Sequence, residues 1–390
     1  MNVLSLFDGI SCGQLAFKRL GITFGNEIES NCYLASEVNK YAISVTKKNF
    51  PNTIEIGDVR NIHYENGVLY KNCEYKSEQW CLGEKIANVN FDYLIGGSPC
   101  QNFSFAGKMN GMSTKTNEKI TTLKRYLELK DQNYEFDGYS YLFWEYVRLL
   151  NEIKPKYFLL ENVRMKKEWR EVIDSVLRIE PIEINSALVS AQSRKRLYWI
   201  GKKNKNNNYE KIEIPQPLDR GLIIKDILDY GNLKNEYVPY GVDKRYKRYF
   251  DKYNNIPQHF CAYSNKDVST KTPTITTHSG SGSGSGAVTS ILPICINSKS
   301  GRNGITGLYA TNEVPLYEVK NGMIKINDNT FPIKLDDGYY IIRKLSPLEC
   351  ERLQTLDDNY TDCVSNNQRY KAIGNGWTVD VIKHILSYTL

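Results

Sequence analysis

The sequence predicts an α/β domain with a mainly parallel, doubly wound sheet, interrupted by a small irregular domain. In the first 200 or so of the 390 residues, short apolar runs alternate with amphipathic helical patterns, which implies right-handed crossovers between parallel strands. Around Lys202 the sequence becomes polar and rich in asparagine and tyrosine, and after Arg343 the helical pattern returns. The end of the chain is therefore expected to rejoin the first domain.

Each predicted strand is a short apolar run that ends at a polar or glycine-rich segment. Leu197–Ile200 directly follows another strand, so we expect it to add an antiparallel edge. Ser346-Pro347-Leu348-Glu349 has an N-cap residue, proline at the first helical position and an acid at the third, which predicts a helix start. The other predicted strands are Val3–Phe7, Tyr33–Val38, Thr53–Ile56, Phe91–Ile95, Tyr157–Leu160 and Ile184–Val189, and the other helices span about 10–20, 39–49, 140–153, 166–178 and 379–390.

The domain organisation follows from the same changes of texture. Residues 1–201 and 343–390 are predicted to form the α/β domain, and residues 202–342 the inserted domain. Within the insertion, residues 279–286 alternate serine and glycine and are expected to behave as flexible chain. Whether this stretch is native or engineered stays open. Residues 102–133 are long, polar and without a clear pattern, and we expect them to act as a lid.

Composition excludes several classes of protein. No apolar run is long enough for a transmembrane helix, and the N-terminus lacks the basic region of a secretory signal. The nine cysteines are never spaced C-x-x-C and only four histidines occur, so a structural metal site is not expected. We expect a reducing, cytoplasmic compartment. The net charge of +7 permits a polyanionic partner, although a lysine-rich solvated surface explains it equally well.

Acidic side chains follow the first three predicted strands. Asp8 lies in the turn Phe7-Asp8-Gly9-Ile10-Ser11-Cys12-Gly13, Glu37 ends the second strand and Asp58 follows the third. The glycines and the helix N-terminus of the first turn could face an anionic group, and an acid after the second strand can accept hydrogen bonds from ribose hydroxyls. Three acids disfavour phosphates and suit a nucleoside that carries an amino acid, such as S-adenosylmethionine. Structural glycines and solvated acids are the alternative explanation.

Cys100 is the candidate nucleophile. It lies in Gly96-Gly97-Ser98-Pro99-Cys100-Gln101, where the two glycines and proline force a tight turn at the end of the fourth strand. A thiol reacts as its thiolate, and local N–H groups or basic neighbours favour that form. The other eight cysteines are expected to be inert.

Two further groups are candidates for acid–base chemistry and for anion binding. Glu161 leaves the apolar run of the fifth strand, where desolvation would let it share a proton with a ring nitrogen; a surface acid or N-cap is the alternative. Arg194 and Arg196 share one face of an extended segment and suit phosphates or a carbonyl oxygen. A solvated basic face is the alternative for that pair.

Taken in order, these motifs resemble those of the DNA (cytosine-5) methyltransferase family. The series is D-G-x-x-x-G, the acid on strand two, the aspartate on strand three, Pro-Cys-Gln, Glu-Asn-Val, Gln-x-Arg-x-Arg and the late Gly374-Asn375-Gly376-Trp377. The resemblance covers about 1–201 and 343–390. The local sequences around Glu37, Asp58 and Cys100 look most like those of the de novo subfamily's catalytic domain. The opening Phe-Asp-Gly-Ile-Ser-Cys-Gly departs from the commoner Phe-x-Gly-x-Gly.

The resemblance implies a Rossmann-like, S-adenosylmethionine-dependent methyltransferase sheet with residues 202–342 as target recognition domain. It implies methylation at carbon 5 of a flipped-out cytosine through a covalent cysteine adduct, with S-adenosylhomocysteine as product. The implied partner is double-stranded DNA, and the enzyme is expected to be a bacterial or phage monomer; a cognate restriction endonuclease stays open as a partner. The implied site residues are Cys100, Glu161, Arg194 and Arg196 for catalysis, Phe7, Asp8, Gly9, Ile10, Gly13, Glu37, Val38, Asp58, Val59, Pro99, Asn375 and Trp377 for the cofactor, and Gln101, Ser104, Gln192 and Arg194 for DNA.

Three other functions stay open at this point. The RNA-acting branch of the family is disfavoured because its Cys-Phe-Thr signature does not occur. A catalytically silent DNA-binding homologue is disfavoured because Pro-Cys and Glu-Asn-Val are both retained. An enzyme that transfers a different group to cytosine is not separated from a methyltransferase by the sequence.

Overall fold

The structure is a computed structural model that describes residues 1–27, 30–103, 110–229, 259–260, 271–272, 274, 289–293, 317–326, 328–333 and 335–390. The chain forms two compact units, one of residues 1–185, 195–217 and 376–390 and one of residues 186–194 and 218–375. The predicted Ser/Gly stretch 279–286 and Ser104 lie outside the described residues. In the described part of the chain, no helix has the length and apolar character needed to cross a membrane.

The bounds of the elements are as follows. The strands are β1 (Val3–Leu6), β2 (Tyr33–Ser36), β3 (Ile54–Glu55), β4 (His63–Glu65), β5 (Val68–Lys71), β6 (Glu74–Lys76), β7 (Gln79–Cys81), β8 (Glu84–Asn88), β9 (Tyr93–Gly96), β10 (Tyr157–Val163), β11 (Ile182–Asn185), β12 (Lys195–Lys203), β13 (Tyr209–Lys211), β14 (His259–Phe260), β15 (Thr289–Pro293), β16 (Tyr317–Lys320), β17 (Met323–Ile326), β18 (Asn329–Pro332) and β19 (Gly338–Lys344). The helices are α1 (Cys12–Arg19), α2 (Lys40–Asn49), α3 (Leu123–Asp131), α4 (Phe143–Ile153), α5 (Lys167–Leu177), α6 (Pro347–Leu353), α7 (Asn366–Asn375) and α8 (Val379–Leu386).

The first unit is built on a sheet of order β11-β12-β10-β9-β1-β2-β3. Strands β10, β9, β1, β2 and β3 are parallel, which confirms the predicted doubly wound α/β class. Strand β12 is antiparallel to β10, as predicted, but its predicted edge position is wrong because β11 pairs with its outer side. The sequence pattern gave the strand's direction but could not show which neighbour covers its outer side.

Two stretches of the first unit are more ordered than the sequence suggests. Residues 63–88 form five short antiparallel strands, β4 to β8, in two small sheets. Residues 102–133 show no clear sequence pattern, yet residues 110–133 contain a helix and core residues; their expected role as a lid stays a prediction. Helix α3 lies there, and Met112, Ile120 and Leu129 are buried in the hydrophobic core. Their apolar side chains are too widely spaced to form a recognisable period.

The second unit contains an antiparallel sheet of order β14-β15-β19-β16-β17-β18. Helix α6 begins as predicted, because the Ser346 hydroxyl accepts from the Glu349 amide and the Glu349 carboxylate accepts from the Ser346 amide at 2.8 Å. The main segment of this unit, residues 218–375, has other limits than the predicted insertion, residues 202–342. Helix α6 accounts for part of the difference, since Arg352 donates to the carbonyls of Ile227 and Leu228. The assignment of 202–342 to target recognition stays a prediction.

Candidate active site

The parallel register places the predicted site residues of the first unit at one edge of the sheet. Leu6 pairs with Ser36 and with Gly96, and Gly96 pairs with Leu160. The next residue on each strand is therefore Phe7, Glu37, Gly97 or Glu161. The carboxyl edge of a parallel sheet is where ligands bind in open α/β folds. The register thus confirms that these four positions lie along a common edge.

The turn after β1 has an unusual backbone. Phe7, Gly9 and Ser11 have φ values of 56°, 63° and 55°, and two of these residues are not glycine. Such left-handed non-glycine residues concentrate at functional sites. The amide of Gly9 donates to Glu37 Oε2 at 2.9 Å, and the amides of Val38 and Asn39 each donate to Glu37 Oε1 at 2.7 Å. The Glu37 carboxylate therefore fixes the turn to the end of β2.

Asp8 is held by two hydroxyl groups. The Tyr33 hydroxyl donates to Asp8 Oδ1 at 2.7 Å, and the Ser11 hydroxyl donates to Oδ2. Desolvation by burial raises the pKa of Asp8, although these hydrogen bonds oppose the shift. Both oxygens of the Asp8 carboxyl group are therefore hydrogen-bonded within the protein, and its contact with a ligand stays a prediction.

Asp58 is bound by a basic neighbour that the sequence reasoning did not single out. Arg60 Nε lies 3.0 Å from Asp58 Oδ1, and its Nη2 lies 2.5 Å from Oδ2. Burial alone would raise the pKa of Asp58, but the hydrogen bonds and charge of Arg60 outweigh it and lower the pKa. Asp58 is thus kept ionised as an acceptor. The arginine two residues after the aspartate was the available signal.

Glu55 on β3 gives a pH-dependent prediction for stability. Desolvation, reinforced by the charges of Asp8 and Glu37, raises its pKa from 4.5 to about 8. Between these values the folded chain holds a proton that the unfolded chain has lost, so stability falls as pH rises. We expect Glu55→Gln to raise the free energy of unfolding at pH 8 by about 1–2 kcal/mol, a value reduced for solvent screening of a partly exposed group.

The measurement is the thermal unfolding midpoint of Glu55→Gln and of the unmodified protein at pH 4.5 and pH 8. The two midpoints should nearly coincide at pH 4.5 and separate at pH 8. A variant that is less stable at pH 8 would contradict the assigned direction of the shift.

The first unit's edge fits S-adenosylmethionine. Val38 is an apolar side chain that is 70 % exposed beside Glu37, which suits contact with a flat ring, whereas Ile10 and Val59 are buried behind the turns. Acceptors at Asp8, Glu37 and Asp58 suit ribose hydroxyls, an adenine amine and a cationic amino acid. These contacts with the cofactor stay predictions.

Gly13 marks how closely the start of α1 is packed. A Cβ there would lie 2.6 Å from Ile95 Cδ1 and 3.0 Å from the Tyr33 hydroxyl oxygen. Only glycine lets the helix approach the sheet so closely. The predicted role of Gly13 at the cofactor is therefore also explained by packing, and its contact with the cofactor stays a prediction.

The Cys100 turn is anchored on both sides. Asn162 Nδ2 donates to the Ser98 carbonyl at 3.2 Å and to the Ser98 hydroxyl at 3.0 Å. After the cysteine, the Asn102 amide donates to the Ser140 hydroxyl at 3.2 Å. Cys100 itself is half-buried. The role of Asn162 was missed by sequence reasoning, although the residue lies in the quoted Glu-Asn-Val motif.

The Glu161 carboxylate has a different partner on each oxygen. Arg196 Nε lies 3.1 Å from Oε1, and the Trp377 indole N–H donates to Oε2 at 3.0 Å. Glu161 is only 9 % exposed, and charge-assisted hydrogen bonds of this kind fix a carboxylate firmly. The structure therefore brings together three predicted site residues that lie far apart in the sequence.

Three of the remaining predicted residues, Gln192, Arg194 and Asn375, belong to the second unit. Gln192 is fully buried and its amide donates to the Leu353 carbonyl, while Arg194 donates to the Gly374 carbonyl. The predicted roles of these residues in catalysis, cofactor binding and DNA binding stay predictions. In the first unit, Gln101 is exposed and Pro99 is half-buried.

This fold and this site define a class of protein, the Rossmann-like S-adenosylmethionine-dependent methyltransferases. A model of the C-5 cytosine-specific DNA methylase family matches residues 1–389, and the chain belongs to that family. It is a DNA (cytosine-5) methyltransferase, which transfers a methyl group from S-adenosylmethionine to carbon 5 of cytosine in DNA.

Individual relatives are distant but match nearly the full length. The chain is 26% identical to orphan methyltransferase M.SPRI of Bacillus phage SPR, covering 99% of this chain and 96% of that protein. It is 25% identical to type II methyltransferase M.FnuDI of Fusobacterium nucleatum, covering 98% and 92%. Among solved structures, S. pombe Dnmt2 methyltransferase matches with a TM-score of 0.56 at 15% identity, covering 99% and 97%. At that identity the structural match shows the fold alone.

Proposed function

We propose that this enzyme methylates a flipped-out cytosine within a specific sequence of duplex DNA, through a covalent adduct with Cys100. One observation carries the proposal. Asn162 donates a hydrogen bond to Ser98, two residues before Cys100. Its neighbour Glu161 is bound by Arg196 on one carboxylate oxygen and by Trp377 on the other. The nucleophile's turn and the buried carboxylate are therefore fixed to each other through adjacent residues of β10.

The residues support the following steps. The target base must be flipped out because carbon 6 cannot be reached inside the stack. The stacking and pairing that are lost cost a few kcal/mol. The Cys100 thiolate adds to carbon 6 while Glu161 hydrogen-bonds or protonates ring nitrogen 3, so negative charge does not accumulate on the ring. Carbon 5 then becomes nucleophilic. A base finally removes the carbon-5 proton, and the electrons of that bond restore the ring double bond as Cys100 leaves.

The bound S-adenosylmethionine supplies the electrophilic methyl group that carbon 5 accepts. Phe7, Glu37 and Asp58 would hold its nucleoside, the last two as acceptors for ribose hydroxyls and the adenine amine. Trp377 would lie over its methionine end, while Asp8, Gly9, Ile10, Gly13, Val38, Val59, Pro99 and Asn375 complete the proposed cofactor set. Arg196, with Arg194, would hold the base or its phosphate.

For DNA recognition we propose that residues 202–342 read bases in the major groove, with Gln101, Ser104 and Gln192 contributing contacts. We also propose that this is a bacterial or phage enzyme, which the organisms of the relatives support, and that it works as a monomer in the cytoplasm. Both a type II and an orphan relative occur, so a cognate endonuclease stays a proposal. Cleavage of the target sequence in its unmethylated form, and protection once it is methylated, would test it.

The proposed adduct can be trapped. Plasmid methylation in cells, read by bisulfite sequencing, first gives the target sequence. A duplex with 5-fluorocytosine at that target should then form a cofactor-dependent protein–DNA band on a denaturing gel, because a fluorine on carbon 5 cannot be removed as a proton and Cys100 cannot leave. The matched duplex with ordinary cytosine should be methylated and give no band. Normal methylation without any trapped band would contradict the covalent route.

A further inference from the structure

The Trp377 indole lies between the carboxylate of Glu161 and the helix that follows the Phe7–Ser11 turn. Its Nε1 donates to Glu161 Oε2 at 3.0 Å. At the other end of the indole, Cζ3 lies 3.4 Å from where a Cβ on Gly13 would be. One rigid ring therefore spans from the proposed catalytic carboxylate to the start of α1.

Gly97 shows how closely this hydrogen bond is packed. A Cβ at position 97 would lie 2.9 Å from Glu161 Oε2 and 2.9 Å from Trp377 Nε1. Real Cβ atoms essentially never approach other atoms so closely, so a side chain at 97 would displace one of the two partners. The glycine before Ser98 thus preserves the indole–carboxylate bond.

The chemistry of the two donors is also specific. An indole N–H can only donate, and the Arg196 guanidinium can only donate. Since they bind different oxygens, Oε2 and Oε1, together they hold the carboxylate against rotation about its bond to Cγ. A carboxyl group that must hand a proton to a planar ring needs that orientation fixed before the base arrives.

We propose that Trp377 is a positioning residue for the chemical step, and that its indole N–H orients the Glu161 carboxyl toward the ring of the target cytosine. The inference rests on the proposed role of Glu161. It assigns to Trp377 a task separate from contact with the cofactor: the ring borders the cofactor turn, while the N–H serves the catalytic acid.

Trp377→Phe separates the two tasks, because it keeps an aromatic ring and removes only the N–H. We expect single-turnover methylation to slow by about tenfold or more, the usual effect of losing a hydrogen bond to a charged group, with the KM for S-adenosylmethionine changed less than about threefold. Trp377→Ala should lower the rate and raise that KM. Gly97→Ala should lower the rate as Trp377→Phe does.

Trp199→Phe is the matched control. Trp199 on β12 donates from Nε1 to Oδ1 of Asp174 on α5 at 2.7 Å, so its indole N–H serves a carboxylate that is not among the site residues. This variant also loses an indole–carboxylate bond, so its melting temperature should fall while its methylation rate stays within about twofold of the unmodified enzyme. An unchanged rate in Trp377→Phe, with Trp377→Phe folded by melting temperature, would overturn the proposal.

A double-variant cycle with Glu161→Gln distinguishes this inference from the function on which it rests. Adding Trp377→Phe to Glu161→Gln should slow the residual single-turnover rate by less than about twofold, because coupled residues do not add. A full additive loss would overturn the role of Trp377 and leave that of Glu161 intact. A fully active Glu161→Gln enzyme would instead overturn the proposed function, and with it this inference.

Discussion

Replacing Cys100 by serine is expected to reduce methyl transfer by at least about a thousandfold while duplex binding survives. A serine hydroxyl is a far weaker nucleophile at neutral pH than a thiol that forms its thiolate, and no neighbouring base is needed for the thiol to react. The side chains are close in size. The turn is held by backbone and asparagine contacts, including Phe103 amide to Cys100 carbonyl at 3.0 Å, so the variant should fold normally.

Single-turnover transfer of labelled methyl groups measures the first effect, and a gel-shift titration measures binding. Cys81→Ser is the control, since Cys81 is an exposed cysteine at the end of β7, and it should methylate at the rate of the unmodified enzyme. Continued methylation by Cys100→Ser would exclude Cys100 as the nucleophile. Loss of binding together with activity would show that Cys100 matters for the fold of the site.

The strand–helix alternation was enough to predict the parallel core because a buried parallel strand is apolar on both faces. That is why the runs at β1, β9 and β10 were found within a residue or three of their ends. The same reasoning failed at β12, because the apolar run did not show that the preceding strand, β11, pairs with the outer side of β12. It also failed at 110–133, where isolated residues such as Met112 and Ile120 reach the core without a helical period.

The site was predictable to the extent that each motif ends a strand. Cys100 follows β9 and Glu161 lies near the carboxyl end of β10, so their common edge follows from topology. The bond between Glu161 and Trp377 joins residues 216 positions apart, and no local pattern encodes such a contact. Arg194 and Arg196 were grouped by a period of two residues; the contact of Arg194 with the Gly374 carbonyl does not test that grouping, and their shared role stays a prediction.

A buried charge cluster around Arg148 contacts the segment that follows Asp58, and substitution of Arg148 gives the largest expected change in stability. Arg148 and Glu145 lie on α4 at the spacing of an ordinary surface pair, yet both are buried. Glu145 accepts from Arg148 Nε at 2.8 Å and from Lys130 Nζ at 2.6 Å. Arg148 also donates to the Ile62 carbonyl at 2.7 Å, close behind Asp58 in the chain.

Arg148→Met is therefore expected to lower the free energy of unfolding by about 3–5 kcal/mol, because Glu145 and Glu152 lose the buried guanidinium that they share and Lys130 alone is left beside Glu145 to offset the buried charge. Burial alone would raise the pKa of Glu145, and it is the charges of Arg148 and Lys130 that lower it. Urea denaturation measures the effect. Arg125→Met is the control. Arg125 lies on α3 and forms an exposed pair with Glu118, so its loss should leave stability nearly unchanged. Equal losses in the two variants would show that burial of the cluster does not govern its contribution, since the exposed arginine would then matter as much as the enclosed one.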